Sequence, residues 1–236
     1  MAERIVESAR VDNELVVEIG PGKGILSRQL AKRARKVIAV EFDSRLANYL
    51  AGLNLPSVDV VNDDFLSFDL HGLGSVVVVG NIPYGITTAI IEKLAACKKN
   101  LKNALLTVQK EYGSRMAAPA GASDYGFLSV FVNYHFRVMR EFGIPPRYFS
   151  PKPKVSSVVV TFLPQGSLFS EDYERRLFAF VSGVFRYRRK SLKNAIRSHL
   201  GFVPSGLEAG LLSKRPQHLS ISDLHRAYST ISAVYE

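Results

Sequence analysis

Residues 16–24 read Val16-Val17-Glu18-Ile19-Gly20-Pro21-Gly22-Lys23-Gly24, an apolar run that stops on three glycines at alternate positions. No other segment restricts the fold as strongly. The run has the composition of a buried strand, and the glycines supply the backbone angles that a tight strand-to-helix turn requires. A helix is expected to open at about Ile25. Such a turn belongs to an open α/β sheet, in which ligands bind at the carboxyl ends of the strands. Gly20, Gly22 and Gly24 would let a ligand approach the backbone closely. Ile25 stands where a Gly-x-Gly-x-x-Gly fingerprint would place its third glycine, which argues against NAD or FAD.

Three further runs end on residues with chemistry. Val37-Ile38-Ala39-Val40 delivers Glu41, an acid at a second strand end, where a ribose diol can be gripped bidentately. The segment Val58-Asp59-Val60-Val61 is followed by Asn62-Asp63-Asp64-Phe65. Asp64 is the candidate acceptor for an adenine amine, with Asp63 as its competitor, although loop acids also serve as helix caps. Val76-Val77-Val78-Val79-Gly80 then leads into Asn81-Ile82-Pro83-Tyr84. An Asn carboxamide and a neighbouring carbonyl can accept both hydrogens of an exocyclic amine while an aromatic ring stacks on the base. Read alone, the tetrapeptide could equally be a turn, since Pro fixes φ and Asn opens turns. Its place as the fourth element at one sheet edge favours the amine-gripping reading.

The order Gly-x-Gly-x-Gly, acid, acid, Asn-x-Pro-Tyr resembles S-adenosylmethionine-dependent methyltransferases acting on an amino nitrogen of a base. Gln109-Lys110-Glu111-Tyr112, Asp124-Tyr125-Gly126-Phe127-Leu128 and Phe149-Ser150-Pro151-Lys152-Pro153-Lys154-Val155 narrow it. They resemble the ribosomal RNA adenine dimethyltransferases that modify the small subunit. The resemblance runs from about Ile5 to near Arg197. It implies S-adenosylmethionine as cofactor, held by Glu18, Gly20, Gly22, Gly24, Glu41, Asp64 and Asn81. It implies a catalytic group of Asn81, Ile82, Pro83, Tyr84 and Phe149, with Phe149 stacking on the flipped adenine. Three prolines, Pro146, Pro151 and Pro153, would stiffen that loop, and Phe149 as an ordinary core residue is the competing reading. Family members carry a Gly-Gln-x-Phe-Leu segment upstream of the first strand, and none is found before Glu14 here. The chain is therefore expected to begin late relative to its family.

The net charge of +10 is uneven: residues 1–136 hold 15 Lys/Arg against 14 Asp/Glu, and residues 137–236 hold 16 against 7. A surplus confined to the back of the chain suits a polyanionic partner. The densest patch, residues 185–197, offers Arg186, Arg188, Arg189, Lys190, Lys193 and Arg197 for RNA, unless it is only a solvated helix face. Val184, Leu192, Ala195 and Ile196 would face a core. The single Cys97 and five scattered histidines have no metal-ligand spacing, so no metal is expected. No secretory leader or apolar run of membrane-spanning length is visible, and a cytoplasmic, monomeric enzyme is expected.

The expected architecture is α/β: a Rossmann-like class I methyltransferase sheet of seven strands over residues 1–164, then a small all-helical RNA-binding domain over 165–236. Strands five to seven are placed at 105–109, 131–139 and 157–162, the last two antiparallel. Helices are placed at 171–183, 188–200, 205–212 and 220–235. The implied reaction is methylation of an adenine amine, performed twice, in small-subunit ribosomal RNA or a small-subunit precursor. Tyr84 and Phe149 would sandwich the base, each stack contributing about 1–3 kcal/mol. Two other readings stand beside it: an adenine methyltransferase on large-subunit ribosomal RNA or DNA, and an assembly factor whose catalysis is secondary or lost.

Overall fold

The computed structural model describes residues 1–150 and 152–233, with Tyr84 described by its backbone alone. In chain order the main elements are α1 (Ala2–Ala9), β1 (Leu15–Ile19), α2 (Ser27–Leu30), β2 (Lys36–Glu41), α3 (Ser44–Ala51), β3 (Val58–Asn62), β4 (Val76–Asn81) and α4 (Thr87–Ala96). They continue with β5 (Leu101–Gln109), α5 (Lys110–Met116), α6 (Phe127–His135), β6 (Phe136–Ile144), β7 (Ser157–Pro164), α7 (Glu171–Phe185), α8 (Leu192–Leu200), α9 (Ala209–Ser213) and α10 (Ile221–Ser232).

The chain forms two compact units. The first comprises Met1–Gly113 and Phe136–Gln165, and the second comprises Ser114–His135 and the chain from Gly166 onward. The expected continuous domain 1–164 is thus interrupted, because residues 114–135 belong to the second unit.

In the first unit the seven strands lie in the order β3-β2-β1-β4-β5-β7-β6. The first five are parallel, and β7 runs antiparallel to both β5 and β6. Val76 to Val79 are wholly buried, as the continuous β-branched run of a central parallel strand should be. Ile5, Val6 and Ala9 of α1 bury against the same core as Val16, Val37, Val77 and Val159. Asp43 caps α3, accepting from the Arg45 and Leu46 amides at 2.8 and 3.4 Å.

The second unit is helical. Leu177, Val181, Val184, Leu192, Ala195, Ile196, Leu224 and Ala227 are all inaccessible in its core. Ser170 and Ser191 cap α7 and α8, and Ser220 with Asp223 forms a capping box on α10. The strand expected at 131–139 starts only at Phe136. Residues 127–135 are helical because Val130 and Tyr134, with Phe127 and Phe131 beside them, enter the core at helical spacing. The helix expected from Ile25 begins at Ser27 after a turn, and those expected at 188, 205 and 220 begin at Leu192, Ala209 and Ile221. Residues 234–236, at the end of the last expected helix, lie outside the described residues. Among the described residues no helix is long and apolar enough to cross a membrane.

Candidate active site

The register brings the four sequence-selected strand ends to one edge. Ile19 pairs with Val40 and Gly80, Glu41 with Asn62, and Asn81 with Thr107. Backbone bonds continue past the ladders: Gly20 N–H to Val40 O at 3.0 Å, Asp63 N–H to Glu41 O at 3.1 Å, and Ile82 N–H to Thr107 O at 3.1 Å.

Gly20 and Gly22 take φ of +60° and +58°, and a Cβ on either would meet no atom within 4 Å. Their conformation demands glycine, and the space beside them is open. Gly24 differs. A Cβ there would stand 2.6 Å from Leu50 Cδ1, so this glycine serves the packing of the turn against α3 rather than an opening.

Glu41 is buried, and both carboxylate oxygens accept backbone bonds: Oε2 from Gly22 N–H at 2.9 Å and Oε1 from Asp43 N–H at 3.0 Å. Each oxygen keeps a further lone pair. Glu18 is 1% exposed, and its Oε2 has no hydrogen-bond partner among the described residues. Burial pushes the Glu18 carboxyl up to about 7, the nearby Glu41 charge adds to this, and Ser27 pulls the other way. Ser27 Oγ is itself buried without a properly formed hydrogen bond among the described residues.

Asp64 Oδ1 accepts the Leu66 amide at 2.9 Å, leaving Oδ2 unengaged among the described residues. Its competitor Asp63 uses Oδ1 for the Asp64 amide at 2.7 Å and for Ser67 Oγ. Asp63 therefore caps the turn through Oδ1, and each of the two acids keeps an Oδ2 without a partner among the described residues.

Asn81 is exposed at the end of β4, and its carboxamide makes no hydrogen bond among the described residues. Ile82 is 2% exposed and anchors the tetrapeptide. Pro83 is exposed, and its carbonyl accepts Ile86 N–H at 3.3 Å and Thr87 Oγ1 at 3.4 Å. The side chain of Tyr84 lies outside what is described. Phe149 is half-buried and packs against the core that includes Ile5, Val6 and Ile144, which gives weight to its core reading.

Two features of this edge escaped the sequence. Phe42 follows Glu41 and is 77% exposed, an aromatic ring held in solvent at the strand end. Gly80 has no room for a side chain: a Cβ would fall 2.9 Å from both Ile19 Cβ and Ile82 Cδ1. An aromatic directly after the acid was the available signal for Phe42. The need for Gly80 depends on cross-strand packing.

In the helical unit, Arg186, Arg189, Lys193 and Arg197 are exposed and form no ion pair among the described residues. Lys190 lies 4.9 Å from the Tyr187 ring centre, and its Nζ donates to Ser198 Oγ at 3.2 Å. Arg188 is different from the rest of the patch. It is half-buried, with its guanidinium donating to Tyr125 O at 3.1 Å and Ser123 O at 2.9 Å. Those bonds commit it to holding the 123–125 turn.

The sequence model described as ribosomal RNA adenine dimethylase matches residues 1–204. The chain belongs to the ribosomal RNA adenine dimethylase family. Among curated relatives, a ribosomal RNA small subunit methyltransferase A from Geobacter sulfurreducens is 39% identical over 204 residues, covering 81% of this chain and 73% of that protein. One from Bacillus mycoides is 38% identical over 217 residues, covering 87% and 74%. Of solved structures, a dimethyladenosine transferase from Plasmodium falciparum shares the fold with a TM-score of 0.83 at 24% identity, covering 98% of this chain and 95% of its own. The 23S rRNA methyltransferase ErmE has a TM-score of 0.68 at 27% identity, covering 98% and 96%.

Proposed function

We propose that this chain dimethylates the exocyclic amine of adenine in small-subunit ribosomal RNA, using S-adenosylmethionine. The single observation that carries this reading is the unpartnered Asn81 carboxamide, set on the same sheet edge as the open glycine turn and Glu41. The relatives named for the small subunit favour that RNA over large-subunit RNA or DNA.

The residues present fit the cofactor. The open space beside Gly20 and Gly22 is a cradle that any side chain would fill, and Glu18 Oε2 is an orphaned acceptor suited to a cationic ligand. Glu41 would grip the ribose diol with its remaining lone pairs, and the free Asp64 oxygen would take the adenine amine. The exposed Phe42 ring would cover the adenine face. When bound, the cofactor supplies an activated methyl group for in-line transfer.

The protein's task is then alignment and exclusion of water. Asn81 Oδ1 accepts one amine hydrogen of the target adenine. The second acceptor is the Ile82 carbonyl, because the Pro83 carbonyl already receives two donors. Accepting both hydrogens draws the nitrogen lone pair out of the ring and towards the methyl group. Tyr84 and Phe149 would stack on the base, Phe149 after a shift from its core packing. Arg186, Arg189, Lys190, Lys193 and Arg197 would contact RNA phosphates through the helical unit. The enzyme acts as a cytoplasmic monomer on a precursor of the small subunit.

The test is mass spectrometry of ribosomal RNA and of small-subunit particles after incubation with labelled cofactor. Dimethyladenosine is expected with the native chain, and Asn81→Ala should lower the rate at least a hundredfold. Undiminished methylation by Asn81→Ala would remove the assignment. An assembly role without methylation would show as rescue of a deletion strain by that variant.

A further inference from the structure

The loop between β6 and β7 carries a second aromatic that the methyl-transfer site does not use. Tyr148 is 52% exposed, and the Arg147 guanidinium carbon lies 5.2 Å from its ring centre. Arg147 is exposed and makes no ion pair among the described residues, and Lys152 and Lys154 nearby are exposed as well. The pair is presented by a stiff turn: Pro145 and Pro146 fix the backbone, and the Tyr148 and Phe149 amides bond to Pro145 O and Pro146 O at 3.2 and 3.1 Å.

Strand register places this turn at the active edge. Asn81 pairs with Thr107, Thr107 with Val159, and Val159 with Phe142, so β6 passes the Asn81 row two residues before it ends at Ile144. Three strand spacings separate β4 from β6, about 14 Å at roughly 4.8 Å each. A planar cation laid on an exposed ring, among further cations and away from any acid partner, suits an unpaired base whose phosphates are neutralised alongside.

We propose that Arg147 and Tyr148 form a stacking platform for an unpaired nucleobase flanking the target adenine. This rests on the proposed function. The platform sets which nucleotide along a single strand reaches Asn81, and it does so without touching the reacting atoms.

The experiment uses the full chain and single-stranded oligonucleotides carrying 2-aminopurine at each position around the target adenine, with methylation followed separately by label incorporation. One flanking position should be quenched on binding, and Tyr148→Ala should abolish that quench while Tyr148→Trp restores it. Tyr148→Ala and Arg147→Ala should each weaken RNA binding about tenfold or more, with cofactor affinity unchanged. An abasic site at the quenched position should erase the Tyr148→Ala effect. Quenching at no flanking position, or equal quenching with Tyr148→Ala, overturns the platform and assigns the pair to a protein surface. Absence of label incorporation by the native chain would instead overturn the function, whatever the quench shows.

Discussion

The Gly22 N–H donates to Glu41 Oε2 across 2.9 Å, tying the glycine turn after β1 to the acid that ends β2. Asp43 N–H holds the other oxygen at 3.0 Å. One carboxylate thus shapes the loop and still has lone pairs to offer a donor.

Glu41→Ala leaves two amides without their acceptor, a cost on the order of 1–3 kcal/mol for each that stays dry. Glu41→Gln keeps one acceptor oxygen. Thermal unfolding should show the larger loss for Glu41→Ala, and titration calorimetry should show cofactor affinity falling at least tenfold for both. Unchanged affinity in either variant would separate Glu41 from the cofactor.

Glu18 makes stability depend on pH. Its carboxyl is raised from the usual 4.5 to about 7 in the fold, so its contribution is fully present below 4.5 and is lost as pH rises through 7. Glu18→Gln removes that dependence. Between pH 4.5 and 8 the variant should gain about 3 kcal/mol relative to the native chain in urea unfolding. Parallel pH curves for the two proteins would contradict the buried, unpaired carboxyl.

Gly80→Ala inserts a methyl group against Ile19 Cβ and Ile82 Cδ1, both at 2.9 Å, and against Ile19 O at 3.3 Å. Ile82 Cδ1 can rotate away, but Ile19 Cβ and O are fixed to the main chain of β1, so the end of β4 must move. A stability loss of about 1–3 kcal/mol is expected. Because Asn81 is the next residue, kcat should fall by more than cofactor affinity does.

Arg188→Ala should lower the melting temperature of the helical unit, since two carbonyls of the 123–125 turn lose a charged donor worth about 1.5–3 kcal/mol. Arg189→Ala, Lys193→Ala and Arg197→Ala should leave melting nearly unchanged. Each should reduce the salt slope of RNA binding by about 0.7–0.9. Unaltered slopes would make that helix face merely solvated.

The parallel strands were legible because buried central strands read as unbroken β-branched runs, and because each ends where a glycine, acid or amide stands. Helix α6 was not legible. Its residues Phe127-Leu128-Ser129-Val130-Phe131-Val132 favour a strand locally, and only burial of Val130 and Tyr134 in the second unit makes them helical. The candidate site followed the strands, so Asn81, Glu41 and Gly20 lie at one sheet edge, as their places after the apolar runs lead one to expect. Arg188 was misgrouped with its basic neighbours because its carbonyl partners lie more than sixty residues away in the chain. Gly24 and Gly80 depend on neighbours that come into contact only once the sheet has formed.

The helical unit enters the chain twice, as residues 114–135 and again after Gln165. Ending the chain at Pro164 would not release an independent catalytic piece: Tyr125, Val130 and Tyr134 would remain, stripped of Leu177, Phe178 and Leu219. A helical unit transplanted from a relative would therefore have to be exchanged as two matched segments.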